Sequence, residues 1–159
     1  FGHGLSYSQF TLGTPRPSSD TFKAGDRLKL EIEVSNTGSR RGSEVVQCYV
    51  SALEPRLFRP ERELRAFEKV TLDPGETTVI EIELGDRAFA YWDAADTDYP
   101  ELSNRGSAVV PAGMGAPHRL EEGWYLDAGH YEILIGRSSE DTPHRVAIEI
   151  EEESGPMAP

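Results

Sequence analysis

Leu28, Leu30, Ile32 and Val34 are separated by Lys29, Glu31, Glu33 and Ser35. A period of two sends successive side chains to opposite faces of an extended chain, so this run predicts a half-buried β-strand. The same rule returns at Val46, Cys48 and Val50, and at Thr78, Ile80, Ile82 and Leu84 against Glu81 and Glu83. It returns again at Tyr131, Ile133 and Ile135, and at Val146, Ile148 and Ile150 against Glu149 and Glu151. Each run is expected to have one wet face and one dry face. That is the pattern of antiparallel sheets packed core to core, not of a parallel sheet covered on both sides.

Turn residues punctuate the runs at Ala24-Gly25-Asp26, Asn36-Thr37-Gly38, Asp73-Pro74-Gly75-Glu76 and Asp127-Ala128-Gly129. Gly38 and Gly75 suit turns that need a positive φ, and Pro60 suits the lead-in to an edge strand. Only Asp86 to Phe89 has the look of a helical turn, with Asp86 placed to cap it. Weaker runs at 9–12, 63–72 and 124–126 bring the expected total to about seven or eight strands, the number an immunoglobulin-like sandwich uses. The fold class read from the pattern is therefore all-β, an antiparallel β-sandwich.

Two stretches fall outside this rhythm. Residues 94–122 hold Pro, Gly, Ala, Asp and Arg without periodicity and separate Tyr91-Trp92 from Trp124-Tyr125. A connection longer than about 15 residues is usually functional or disordered. Residues 152–159 read as a flexible tail.

Composition narrows the function classes. The 159 residues, 37% of them apolar, suffice for one domain. A formal net charge of −12 repels phosphate backbones and anionic headgroups, so neither nucleic acid nor a membrane is an expected partner. Cys48 is the only cysteine and has no internal disulfide partner, which leaves the compartment open. No run approaches the roughly 18 apolar residues of a membrane span. The chain begins with Phe1 rather than Met, so any signal peptide is expected upstream.

Beyond its rhythm, the sequence resembles a known family. Phe1-Gly2-His3-Gly4-Leu5-Ser6-Tyr7-Ser8-Gln9-Phe10 is similar to the FGYGLSYTxF segment that leads into the fibronectin type III-like domain of family 3 glycoside hydrolases. Val34 to Gly38 resembles that domain's VxNTG, and Gly42 to Val50 its GxEVVQLYV strand. Arg59 to Val70 is similar to RPxKELKGFxKV, Leu72 to Glu76 to LxPGE, and Ala128 to Asp141 to PGxYxVxVGxSSxD. His3 replaces an aromatic residue, Cys48 replaces a core Leu, and 94–122 stands as an insertion. The resemblance implies a junction segment at 1–10, a fibronectin type III-like sandwich at 11–151, and a parent enzyme of the β-glucosidase type.

The family's retaining mechanism uses an Asp nucleophile and a Glu acid/base that precede this domain, and neither has a matching motif here. The glutamates at 31, 33, 81, 83, 149 and 151 alternate with core residues and read as solvated strand faces. Gly4-Leu5-Ser6-Tyr7-Ser8 lacks the second Gly and the strand-to-helix context of a nucleophile elbow. His3, His118, His130 and His144 have no metal-ligand spacing, and Cys48 reads as a buried small hydrophobe. Asp93, Asp96, Asp98 and Glu101 lack the central Gly and terminal Glu of a calcium loop. No catalytic residue, cofactor or metal is expected.

Flat rings stack on sugars, so Trp92, Tyr99, Trp124 and Tyr125, with Arg105 in the insertion, are the candidates for a substrate rim or an interface. The plainer alternative, and the preferred one, is that Trp92 and Trp124 pack in or at the rim of the sandwich. Two functions are carried forward. One is an accessory domain whose partners are the catalytic domains of the same chain, a second subunit, or the parent's oligosaccharide substrate. The other is an independent carbohydrate- or protein-binding module, which would show coplanar exposed aromatics.

Overall fold

The alternating run at 28–36 forms strand β4 (Leu28–Asn36), with Leu28, Leu30, Ile32 and Val34 buried and Lys29, Glu31 and Glu33 exposed. The computed structural model of the chain describes residues 2, 4, 7–94 and 121–157. Among them, β1 (Phe10–Leu12), β2 (Arg16–Pro17) and β3 (Thr21–Phe22) precede β4. β5 (Gly42–Ala52), β6 (Glu63–Leu72) and β7 (Thr77–Leu84) follow it, then the helical turn α1 (Asp86–Phe89) and β8 (Tyr91–Asp93). β9 (Gly123–Leu126), β10 (Gly129–Gly136), β11 (His144–Ile150) and β12 (Ser154–Met157) complete the order.

Two sheets form the sandwich. In the first, β4 pairs with β7 along one side and with β1 and β2 along the other. The second runs β3-β11-β10-β5-β6. Leu30, Ile32, Val34, Ile80, Ile82 and Leu84 of the first face Val46, Cys48, Val50, Ile133, Ile135, Ile148 and Ile150 of the second in one buried cluster. The architecture is the all-β sandwich that the period of two predicts. The described residues contain twelve strands rather than seven or eight; the run at 9–12 is found as β1, and the additional strands are β2, β3, β8 and β12, two to four residues long. A run that short cannot display a period. One pairing is parallel, β3 on β11, with Phe22 opposite Ile150.

Three local expectations change. Residues 154–157, expected in a flexible tail, form β12 against β9, with Met157 opposite Trp124 and partly buried on the core. Asp86 caps nothing: the helical turn has no side-chain cap, and Asp86 Oδ1 accepts the Gly25 amide at 2.8 Å instead. Gly75 does adopt φ +76°, but Gly38 has no positive φ; a Cβ there would lie 2.5 Å from Ser8 Oγ. The requirement at Gly38 is thus close approach. Its neighbour Asn36 is buried and saturated: Nδ2 donates to the Arg40 and Leu72 carbonyls, while Oδ1 accepts from Ser8 Oγ and the Gly38 amide.

The rule of one wet and one dry face fails on β5, where Val46 through Val50 are all buried. Gln47 and Tyr49 point away from the core yet are dry, as is Leu134 on β10 opposite Tyr49. The Tyr49 hydroxyl donates to Gln47 Oε1 at 2.5 Å, and Gln47 Nε2 donates to the Arg137 carbonyl at 2.6 Å. Arg62, just ahead of β6, donates to the Ser139 carbonyl at 2.6 Å. Loop segments thus fold over the outward side of this sheet.

Candidate functional site

β8, β9 and β12 make a small third sheet, and its strands carry three of the five candidate residues. The register sets Tyr91 opposite Tyr125, Trp92 opposite Trp124 and Asp93 opposite Gly123. The two ends of the 94–122 stretch are therefore held side by side by a strand pair. Tyr99 and Arg105 lie outside the described residues.

Alternation along β8 and β9 sorts the rings. Tyr91 and Tyr125 turn inward, with centroids 6.4 Å apart and planes at 36°. The Tyr91 hydroxyl donates to Asp127 Oδ1 at 3.2 Å, and that of Tyr125 to the Glu121 carbonyl at 2.9 Å. Trp92 and Trp124 turn outward and meet edge to face, 5.7 Å apart at 69°. Trp92 remains 46% exposed. Arg87 of α1 sits 4.1 Å above the Trp124 ring, a cation–π contact that covers one of its faces. The two tryptophans are thus placed on the outward side of the small third sheet. Rings at 69°, one of them capped by a guanidinium, are not coplanar.

A network that the sequence did not single out holds this small sheet on the sandwich. Arg59 Nε and Nη2 both donate to Glu63 Oε2, at 3.0 and 2.6 Å, and Nη1 donates to the Phe89 carbonyl at 3.0 Å. Arg65 Nη2 donates to Glu63 Oε1 at 2.7 Å and to the Ala90 carbonyl at 3.0 Å. One carboxylate is thus shared by two guanidiniums that also collect the carbonyls at the end of α1. Arg59 lies 5.5 Å from the Tyr91 ring centre. Phe89, fully buried, packs on Phe22 at 4.8 Å and edge-on to Tyr131 at 5.8 Å. The sequence signal was present in the single block that holds Arg59, Glu63 and Arg65, but it says nothing about the Phe89 and Ala90 carbonyls, 30 residues from Arg59 and 25 from Arg65.

The remaining chemistry is structural. Burial pushes the Cys48 thiol up to about 12 and is the main cause that takes the Tyr131 phenol to about 12. A thiol so placed is a poor nucleophile. The His144 ring nitrogen Nε2 is engaged with the Leu12 carbonyl at 3.0 Å. Among the described residues, no group of three or more His, Cys, Asp or Glu is placed to hold a metal ion. Of the acidic residues weighed for calcium only Asp93 is described, and it is fully buried.

Comparison with known proteins places this architecture. Residues 44–103 match the fibronectin type III-like domain family. Thermostable β-glucosidase B of Acetivibrio thermocellus is 31% identical over 150 residues, which is 94% of this chain and 17% of that protein. The crystal structure of β-glucosidase from Kluyveromyces marxianus in complex with glucose superposes with a TM-score of 0.73 at 33% identity, covering 97% of this chain and 15% of that one. β-Glucosidase from Listeria innocua in complex with glucose gives a TM-score of 0.72 at 29% identity, over 95% and 17%. The chain spans about one sixth of the length of the curated relatives it matches (17% and 15% for two of them). With sandwich, turn motifs and relatives in agreement, the chain belongs to the fibronectin type III-like domains, in the form carried by family 3 glycoside hydrolases of the β-glucosidase type.

Proposed function

We propose that this chain is the non-catalytic accessory domain of a β-glucosidase, packing on the catalytic domains of the same polypeptide and stabilising them. The parent removes terminal β-D-glucosyl residues from the non-reducing end of its substrates. Residues 1–10 serve as the junction and 11–151 as the sandwich. The 94–122 stretch, based on the β8–β9 pair, extends toward the active-site rim or a neighbouring subunit, with Trp92 and Trp124 at its foot. The observation that carries this reading is coverage: nearly the whole chain aligns, yet it accounts for about one sixth of enzymes named β-glucosidase. An interdomain contact of ordinary size would bury about 600 to 1,500 Å².

The test is hydrolysis of a chromogenic β-glucoside by the isolated chain, alongside its association with a separately expressed catalytic fragment of the parent. No turnover alone, tight association, and a raised thermal midpoint of the fragment are the expected results. Turnover by the isolated chain would overturn the reading, as would failure to associate. The alternative, an independent carbohydrate-binding module, has the crossed and Arg87-capped tryptophans against it.

A further inference from the structure

The two outward faces of the sandwich are chemically unlike. On β4 and β7 the outward positions include Lys29, Glu31, Glu33, Glu81 and Glu83, with Lys29 paired to Glu81 at 2.9 Å and Arg27 to Glu83 at 3.2 Å. Such a face stays in water. On β5 and β6 the outward set contains Gln47 and Tyr49, both buried, and Phe67, which stands opposite Gln47 and is 65% exposed. Three of the six exposed large apolar side chains among the described residues, Leu53, Phe58 and Phe67, lie on β6 or on the connection leading into it from β5. β6 is also the outer strand of its sheet, and an open edge bearing apolar groups is normally covered.

The position of the leading residues says what covers it. Gly2, at φ +72°, rests on the Gln47 amide, which leaves no room for a Cβ at this position. That amide cannot swing aside, because Tyr49 and the Arg137 carbonyl hold both its ends. Ser8 is bonded at the head of β5, to Asn36 and to the Arg40 carbonyl. Gly2 thus lies over the middle of β5 at Gln47, the cross-strand neighbour of Phe67, while Ser8 sits at the turn leading into β5, so polypeptide joined ahead of Gly2 is delivered onto this face. In the relatives, more than four fifths of the chain lies outside the matched part, since it covers only 17% and 15% of them.

We propose that the outward face of β5 and β6, centred on Phe67 beside Gln47, is the surface on which the catalytic part of the same polypeptide packs. This rests on the accessory-domain reading above and names the contact within it. Hydroxyl-radical footprinting of the 159-residue chain and of the full-length enzyme tests it side chain by side chain. The oxidation rate of Phe67 falls several-fold in the full-length enzyme, while that of Val79 on the opposite face is unchanged. Protection of Val79 or Trp92 with none at Phe67 overturns this face and leaves the accessory role standing. No protection anywhere overturns both. As a second reading, Phe67→Ser lowers the thermal midpoint of the full-length enzyme and leaves that of the isolated chain unchanged; equal midpoint shifts in both would sink the proposal.

Discussion

β4 and β5 are written in the same period of two, yet they end in different surroundings. In β4 buried positions alternate strictly with outward polar ones, of which Lys29, Glu31 and Glu33 are charged and exposed. In β5 five consecutive residues, Val46 to Val50, are dry. The core-facing halves are equivalent, so the difference lies wholly on the outward side, where Gln47 and Tyr49 are buried and joined by a hydrogen bond. A polar residue that is both outward and buried reports that something lies over the sheet. On β5 the cover comes from Gly2 and from the loop carrying Arg137.

The contrast is broken most strongly by truncating outward residues on each strand. Tyr49→Ala removes a side chain only 2% exposed and is expected to cost about 3 to 5 kcal/mol, as buried aromatic truncations do. Glu33→Ala at the equivalent outward position on β4 should change stability by no more than about 0.5 kcal/mol. Urea unfolding of the two variants measures both, and equal effects would mean that β5's outward face is not a second packed layer.

Gln47→Ala comes next. It leaves the Tyr49 hydroxyl and the Arg137 carbonyl without their partner, at a cost of about 1 to 3 kcal/mol. Gln47→Glu keeps the acceptor for Tyr49 but loses the donor to Arg137, so it should be no better tolerated. Denaturant midpoints that match wild type would show the amide to be dispensable.

The core-facing side of the same strand carries a pH signature. Burial raises the Cys48 thiol from 9.0 to about 12. Below pH 9 the folded and unfolded chains both hold the proton and the stabilisation is fully present. As pH rises toward 12 the unfolded chain loses its proton first, so stability falls. Cys48→Val should flatten the decline of the thermal midpoint above pH 9 without abolishing it, since Tyr131, also raised to about 12, contributes in the same direction. An unchanged slope would count against burial of the thiol.

The smallest effect belongs to the third sheet. Arg87→Ala uncovers one face of Trp124 and should cost about 0.5 to 1 kcal/mol. A change in the intrinsic tryptophan emission of the folded state accompanies it; unaltered emission would mean that the guanidinium does not sit on the ring in solution.

The fold was legible wherever the chain is long enough to show its period. β4, β7, β10 and β11 fall on the alternating runs because their core-facing positions are apolar at every second residue, as at Leu28 to Val34, Ile80 to Leu84, Tyr131 to Ile135 and Ile148 to Ile150. The two-residue strands β2 and β3 were not legible, and neither was β12, whose Ser-Gly-Pro-Met sequence has no strand character of its own and is held by pairing with β9. At the candidate site, Trp92, Trp124 and Tyr125 were visible as aromatics flanking a long connection. The Arg59–Glu63–Arg65 network was hidden because its value lies in the Phe89 and Ala90 carbonyls, which only folding brings near.

By itself the sequence determined the class of fold, the core-facing residues of the alternating strands and the family, because alternation and turn chemistry act over a few neighbouring residues. The tertiary structure alone decided which outward faces are wet, that Gly38 answers to Ser8 rather than to a turn angle, and that Arg87 caps Trp124. Those outcomes depend on contacts between segments distant in the chain, and no local pattern of polar and apolar positions encodes what will come to lie on top of a strand.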